Sequence, residues 1–179
     1  MSLESFVRIS GVKQGNYPAE TDRSPHKEQF RAAVLRVDYK VYTPYDVQKH
    51  TLANERIHEP IRILKQTGPM TPLINQACHS NETLNFVEIV FYRNDPNNEG
   101  IQHAFTIKVE NARIVSHRVF TGARVGGGNA SGAVQSMSKQ GATHDTLEME
   151  EFEIAFRKIS IVDQLSGRHN EDDWDVVYQ

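Results

Sequence analysis

The run Leu84–Arg93, LNFVEIVFYR, carries apolar side chains on both faces of an extended chain: Phe86, Val90 and Tyr92 on one, Val87, Ile89 and Phe91 on the other. A strand built this way has to be covered on two sides, within its own chain or by a partner. The polar turn Asp95–Gly100 follows. Ile101, His103, Phe105, Ile107 and Val109 then alternate with Gln102, Ala104, Thr106 and Lys108. This predicts an antiparallel hairpin with a longer loop, whose second strand has one wet face.

Other extended segments are predicted around this hairpin. Phe6–Val12 alternates in part and stops at Gly11. Gly15–Lys27 is polar and reads as a loop. Phe30–Tyr42 alternates at Val37, Tyr39 and Val41, which favours a strand, with a helix over Phe30–Leu35 as the competitor. Ile57–Lys65 alternates as well, and Pro60, lacking an amide donor, places it at an edge or at the start of a ladder. A helix is expected from Pro72 to His79, with Thr71 as N-cap, Pro72 at N1 and Ser80-Asn81 as the stop. Ile114–Phe120 is a further extended candidate. Leu147–Val162 reads as a strand in its later part, with a helix competing over the acidic start.

Between Thr121 and Thr143 six glycines sit among Ser, Asn, Ala and Gln. So little apolar surface predicts a mobile loop. The tail Ser166–Gln179 is polar and acidic except for Trp174, Val176, Val177 and Tyr178, which can dock as a final short strand. Hairpin-like connections, about seven or eight strands and one good helix imply a mainly β fold, an antiparallel barrel or sandwich of two sheets with one short α-helix. The 179 residues are expected to form one domain, with the Gly-rich insert at 121–143 and the polar tail at 166–179.

Composition excludes several classes of function. With 20 basic and 23 acidic residues the net charge is −3, and no block is strongly basic, so no nucleic-acid footprint is present. No segment approaches the roughly 20 apolar residues of a membrane span, so no membrane insertion is expected. The start Met1–Phe6 lacks the basic and apolar regions of a signal peptide, and a cytoplasmic start without a cleaved signal is the expectation. The single Cys78 has no internal disulfide partner.

Candidates for chemistry are weak. The glycines at 126, 127, 128 and 132 reproduce neither a Walker loop, since Ala133-Val134 stands where Lys and Ser/Thr are required, nor a dinucleotide fingerprint, since Ser131 replaces a glycine. The eight histidines are scattered without metal-ligand spacing, and His103 reads as a satisfied core or interface imidazole. Cys78 and His79 are adjacent on a helix and point about 100° apart, which rules them out as a facing nucleophile–base pair. Glu148, Glu150, Glu151 and Glu153 read as charges on a wet face rather than an acid/base pair. No catalytic residue, cofactor or metal is expected.

An ordered set of motifs nevertheless resembles one family. Ile57-His58-Glu59-Pro60-Ile61 resembles its H-x-P strand entry, and Lys65 the lysine that closes that strand. Thr71–Ala77 resembles its SPxLxxA helix, and Phe91-Tyr92-Arg93 its FYR strand. Phe105–Ala112, FTIKVENA, resembles YTIKLENA with Ile114-Val115-Ser116 following, and Glu150–Ile159 resembles EEVSFxYEKI. Together they resemble the haemolysin-coregulated protein (Hcp) family, the tube subunit of bacterial type VI secretion. The chain departs from the family at Ser160-Ile161-Val162, where Trp-Thr-Tyr is usual, and in its longer Gly-rich insert.

The resemblance implies hexameric rings stacked into a tube that is expelled from the cell and can carry effectors in its lumen. Its implied partners are copies of itself, the sheath and spike proteins, and effector cargo. It also implies assembly in the bacterial cytoplasm followed by secretion. The long loop that contacts the next ring in the family maps onto the polar excursion at Asp46–Glu55, so Tyr45, Val47, Lys49, His50 and Leu52 are the expected stacking residues. The second face of Leu84–Arg93 makes Phe86, Val90 and Tyr92 the expected subunit interface. Two alternatives are a secreted effector of the same system and an unrelated β-sandwich ligand-binding module. A fused effector needs its own core of about 50 residues or more, and little chain follows Val162.

Overall fold

A computed structural model describes residues 3–19, 30–46, 48, 51–52, 55–94, 100–121 and 148–174. The Asp95–Glu99 turn, the Gly-rich insert beyond Thr121, the loop beyond Ala19 and the last residues Asp175–Gln179 lie outside them. Among the described residues the order is β1 (Leu3–Gly11), β2 (Gly15–Asn16), β3 (Ala32–Val34), β4 (Arg36–Asp38), β5 (Val41–Tyr42), β6 (Tyr45–Asp46), β7 (Thr51–Leu52), β8 (Ile57–His58) and β9 (Ile61–Gln66). Then come α1 (Thr71–Ser80), β10 (Leu84–Asn94), β11 (Ile101–Thr121), β12 (Glu148–Ala155), β13 (Lys158–Asp163) and β14 (Arg168–Asp173). The fold is mainly antiparallel β with one helix, as expected.

The alternating Ile101–Val109 segment and the extended candidate at Ile114–Phe120 are a single strand, β11. Its first half pairs with β10 on one side, Ile89 opposite Ile107, and with β13 on the other, Ile161 opposite Ile107. Its second half pairs with β12, Phe152 opposite His117. Between the halves Asn111 adopts φ 49°, a left-handed conformation that asparagine tolerates better than a branched residue. β12 and β13 follow the same corner, with Ala155 opposite Arg113 on one side of it and Lys158 opposite Glu110 on the other.

Two sheets share this bent strand. The first runs β14-β13-β11-β10-β1, with β2 and β3 along the outer edge of β1; the second runs β11-β12-β9-β4. The chain passes between them again at Leu35, since β3 lies on β1 and β4 on β9. Leu35 N–H donates to Leu64 O at 2.8 Å, but the ladder is interrupted there, and the sheets form a sandwich rather than a closed barrel. Val7, Ile9, Val87, Ile89 and Val109 of the first sheet meet Ile61, Ile63, Phe152 and Ile154 of the second in one core. Contrary to expectation, the other face of β11 is not simply wet, because Ala104 and Thr106 are buried too.

The helix begins one residue before the expected start. Met70, not Thr71, is the N-cap, and it has no side-chain cap bond. The Thr71 hydroxyl accepts from Gly68 N–H and donates to Glu150 Oε1, both at 2.9 Å. Asn81 ends the helix at φ 50°, as its position in the sequence suggests. Beyond it, Glu82 is buried and accepts from Lys13 N–H at 2.7 Å and Gln14 N–H at 3.0 Å, which ties down the β1–β2 turn. Gly11 is required there, since a Cβ would meet Glu82 Oε1 at 2.5 Å.

Glu150 corrects the reading of the acidic segment as a wet face. It shares a face with Phe152 and Ile154 and is fully buried, directly opposite Lys65. Lys65 Nζ donates to Glu150 Oε1 at 2.6 Å and to Gln66 O at 2.7 Å. His117 Nε2 lies 2.9 Å from the second carboxylate oxygen, and Asn75 Nδ2 lies 3.1 Å from His117 Nδ1. Burial pushes the Glu150 carboxyl up, but the His117 hydrogen bond, the Lys65 charge and the bonds from Lys65 and Thr71 together hold it below the ordinary range. This network seats α1 on the second sheet.

Breaking one side of such a buried pair costs about 3–5 kcal/mol, because the other charge is left uncompensated. Lys65→Ala is expected to destabilise the chain by about that amount in urea titration, and Lys65→Met combined with Glu150→Leu by less. The depressed Glu150 carboxyl contributes stability that is present above its unfolded value of about 4.3 and is lost as pH falls through the folded value. The urea midpoint should therefore hold between pH 7 and about pH 5 and drop below that, less steeply in Glu150→Gln. At the corner, Asn111→Val should cost about 1–2 kcal/mol and Asn111→Gly little, measured the same way.

Candidate assembly surfaces

The polar excursion expected to stack rings is built as a ribbon. β4 pairs with β9, Glu59 N–H donates to Lys40 O at 3.0 Å, β5 pairs with β8, and β6 pairs with β7. Among the described residues the last two pairings are sheets of two strands. Successive pairings thus carry the ladder beyond the edge of the second sheet. Along the ribbon Val41, Tyr42, Tyr45 and Ile57 are 46%, 41%, 50% and 38% exposed; Tyr42 stands opposite Ile57, and Val41, its neighbour on β5, faces the other way. Lys40 Nζ lies 4.8 Å from the Tyr42 ring centroid and 2.5 Å from Glu59. Of the expected stacking residues, Tyr45 stands on β6 directly opposite Leu52 on β7. Val47, Lys49 and His50 lie outside the described residues.

The root of the ribbon is held from the C-terminal strand. Asp172 of β14 receives a two-pronged hydrogen bond from the Arg56 guanidinium, and Arg56 Nη2 also donates to Asp173 O at 3.1 Å. The second neighbour of the carboxylate is His58 Nε2 at 2.9 Å. His58 is 8% exposed; its Nδ1 lies 3.1 Å from the Tyr39 hydroxyl, and its ring packs against Phe156 and Trp174 with centroids 5.6 and 5.5 Å away. Burial pushes the Asp172 carboxyl up, but the bonds and charges of Arg56 and His58 outweigh it and hold it below the usual range. Burial and the Asp172 charge push the Tyr39 hydroxyl up.

The second face of β10 is largely covered within the chain. Val90 and Tyr92 are 1% and 2% exposed and form a small cluster with Phe6, whose ring meets Tyr92 edge-on at 5.8 Å. Arg31 Nη1 donates to the Tyr92 hydroxyl at 2.8 Å and pairs with Glu88 at 3.6 Å. His103 packs on Tyr92 at 5.3 Å and lies 2.7 Å from the Thr106 hydroxyl, a satisfied imidazole as expected. Phe86 is half-buried between the Arg8 guanidinium at 5.3 Å and Lys108 Nζ at 5.7 Å.

The remaining candidates are dispersed. Cys78 is half-buried against the core, and His79 is exposed in the last turn of α1. Among the described residues no three His, Cys, Asp or Glu side chains are placed to hold a metal, and no helix is long and apolar enough to cross a membrane. A wide groove of about 560 Å³ runs beside α1 between Pro72, Asn75, His117 and Val119. Sequence reasoning missed Arg56, Asp172 and Trp174 as a group. Their signal, charges of opposite sign more than a hundred residues apart, has no periodicity.

The family model for the type VI secretion system effector Hcp matches residues 6–162. A major exported protein of Pseudomonas aeruginosa is 28% identical over 184 residues, covering 97% of this chain and 96% of its own length. Among solved structures, an Hcp protein aligns with a TM-score of 0.78 at 23% identity, over 97% of this chain and 98% of its own. A secreted Hcp protein of Pseudomonas aeruginosa aligns at 0.67 and 22%, over 97% and 99%. The family match over most of the chain, on a sandwich shared with these structures, establishes that this protein belongs to the Hcp family of the type VI secretion system, the family of its secreted tube protein.

Proposed function

We propose that the chain is a structural tube subunit rather than an enzyme: six copies close into a ring, rings stack into a tube, and the tube is expelled with effectors in its lumen. Assembly takes place in the bacterial cytoplasm beside the sheath and spike proteins, before export. The observation that carries the reading is the ribbon of β5 to β8, whose exposed Val41, Tyr42, Tyr45 and Ile57 are costly to leave in water. Exposed apolar side chains on a two-stranded element are suited to a complementary surface on the next ring. Tyr45, Val47, Lys49, His50 and Leu52 are the residues assigned to that contact.

Ring closure falls to the sheet flanks. β14 and β4 are edge strands, and an edge strand offers unpaired amide and carbonyl groups to a neighbouring copy. Phe86 is the directly accessible part of the lateral interface. Val90 and Tyr92 take part through the Arg31 and His103 layer above them.

Mass measurement in solution with electron microscopy tests the reading. Hexameric rings, some stacked, are expected; a strict monomer at high concentration would overturn it. Tyr45→Asp and deletion of Asp46–Glu55 should each leave rings intact while reducing stacked tubes at least about tenfold, since a charge replaces buried apolar area. Phe86→Glu should shift the ring towards lower mass.

A further inference from the structure

We infer that the C-terminal strand β14 is a brace for the stacking ribbon, with Asp172 as its positioning residue. β14 is composed of Arg168-His169-Asn170-Glu171-Asp172-Asp173 and contributes no side chain to the hydrophobic core. It belongs to the first sheet, whereas the ribbon runs off the edge of the second. Asp172 joins them, since its carboxylate takes both Arg56, which precedes β8, and His58 on β8. His58 is the residue opposite Val41 in the β5–β8 ladder, so holding its ring holds the pairing at the root of the ribbon. Trp174 and Phe156 close over the same imidazole, and Trp174 N–H donates to Arg157 O at 3.2 Å, at the corner between β12 and β13.

The geometry needs such a device. β5–β8 and β6–β7 have two strands each, and an isolated two-stranded ladder is marginal in water. A ribbon left to itself would bend at its root and present its exposed apolar side chains at many angles. Locking one strand of the root to the opposite sheet removes that freedom before a neighbouring ring arrives, so less ordering is required on contact. The backbone ladder with β13 and the ion pairs of Glu171 with Lys158 at 3.3 Å and Asp173 with Arg157 at 3.6 Å secure the strand on β13. Asp172 reaches across to the ribbon through its carboxylate, and Asp173 O adds a second acceptor for Arg56.

The brace itself is independent of what the ribbon binds; its effect on stacking rests on the function proposed above. Amide exchange measured by mass spectrometry on the full chain tests the brace. In Asp172→Asn, peptides covering β5 and β8 should exchange about tenfold faster, with α1 and β10 unchanged, while Asp172→Glu restores most of the protection. Unchanged exchange in β5 and β8, or equal acceleration throughout α1 and β10, would overturn the proposal. Electron microscopy tests the consequence: Asp172→Asn should form rings that stack about tenfold less than wild type. Stacking at the wild-type level in a loosened variant would overturn the link to assembly. Wild-type rings that never stack would instead count against the ribbon's function, with the exchange result still deciding the brace.

Discussion

The corner at Asn111 is the constraint on which the rest of the sandwich depends. Each sheet has an apolar face that requires cover, and one continuous strand supplies an edge to both. Because a strand alternates with period two, a slip of one residue in either half of β11 would turn every side chain of that half to the opposite face. The register of β10 and β13 on the first half is thus coupled, through a few residues of backbone, to that of β12 on the second. β12 and β13 turn the same corner at Phe156-Arg157, so the bend lies in two neighbouring strands at once. The pairing of Glu150 with Lys65, and with it the seat of α1, is set by this register.

Much of this was readable from local pattern. The double-faced run, the strand after it, the helix beside Pro72 and its stop at Asn81 each depend on residues close in sequence and are found there, the helix starting one residue early. The failures share a physical cause. Glu110-Asn111-Ala112 reads as a break because nothing local distinguishes a strand that bends from one that ends. Glu150 reads as a surface charge because its partners Lys65 and His117 come from other strands. Tyr17 sits in a stretch that reads as polar loop, yet it is fully buried and lies 3.1 Å from the Gln14 side-chain amide, with Glu82 beside it.

β14 is the extreme case. Of the tail expected to dock through Trp174, Val176, Val177 and Tyr178, Trp174 packs on His58 and the rest lies outside the described residues, while the charged segment before it forms a strand that the sequence pattern does not predict. An apolar strand announces itself by periodicity, whereas a polar strand held by ion pairs carries no such signal. Its partners have to be known first. The same holds for the root of the ribbon, where Arg56 and His58 are unremarkable residues until Asp172 is placed beside them.

The residues expected to make contacts between copies differ in how much surface they keep exposed in the single chain. The double-faced β10 pointed to its own second face, through Phe86, Val90 and Tyr92. Folding covers most of that face with Phe6, Arg31 and His103, and only Phe86 keeps appreciable access. On the ribbon, by contrast, Val41, Tyr42, Tyr45 and Ile57 are 46%, 41%, 50% and 38% exposed. Apolar area already removed from water in the subunit adds little on association, whereas area still exposed can contribute in full. If the ribbon stacks rings as proposed above, how firmly its root is held governs how much of the free energy of that contact survives the cost of ordering it.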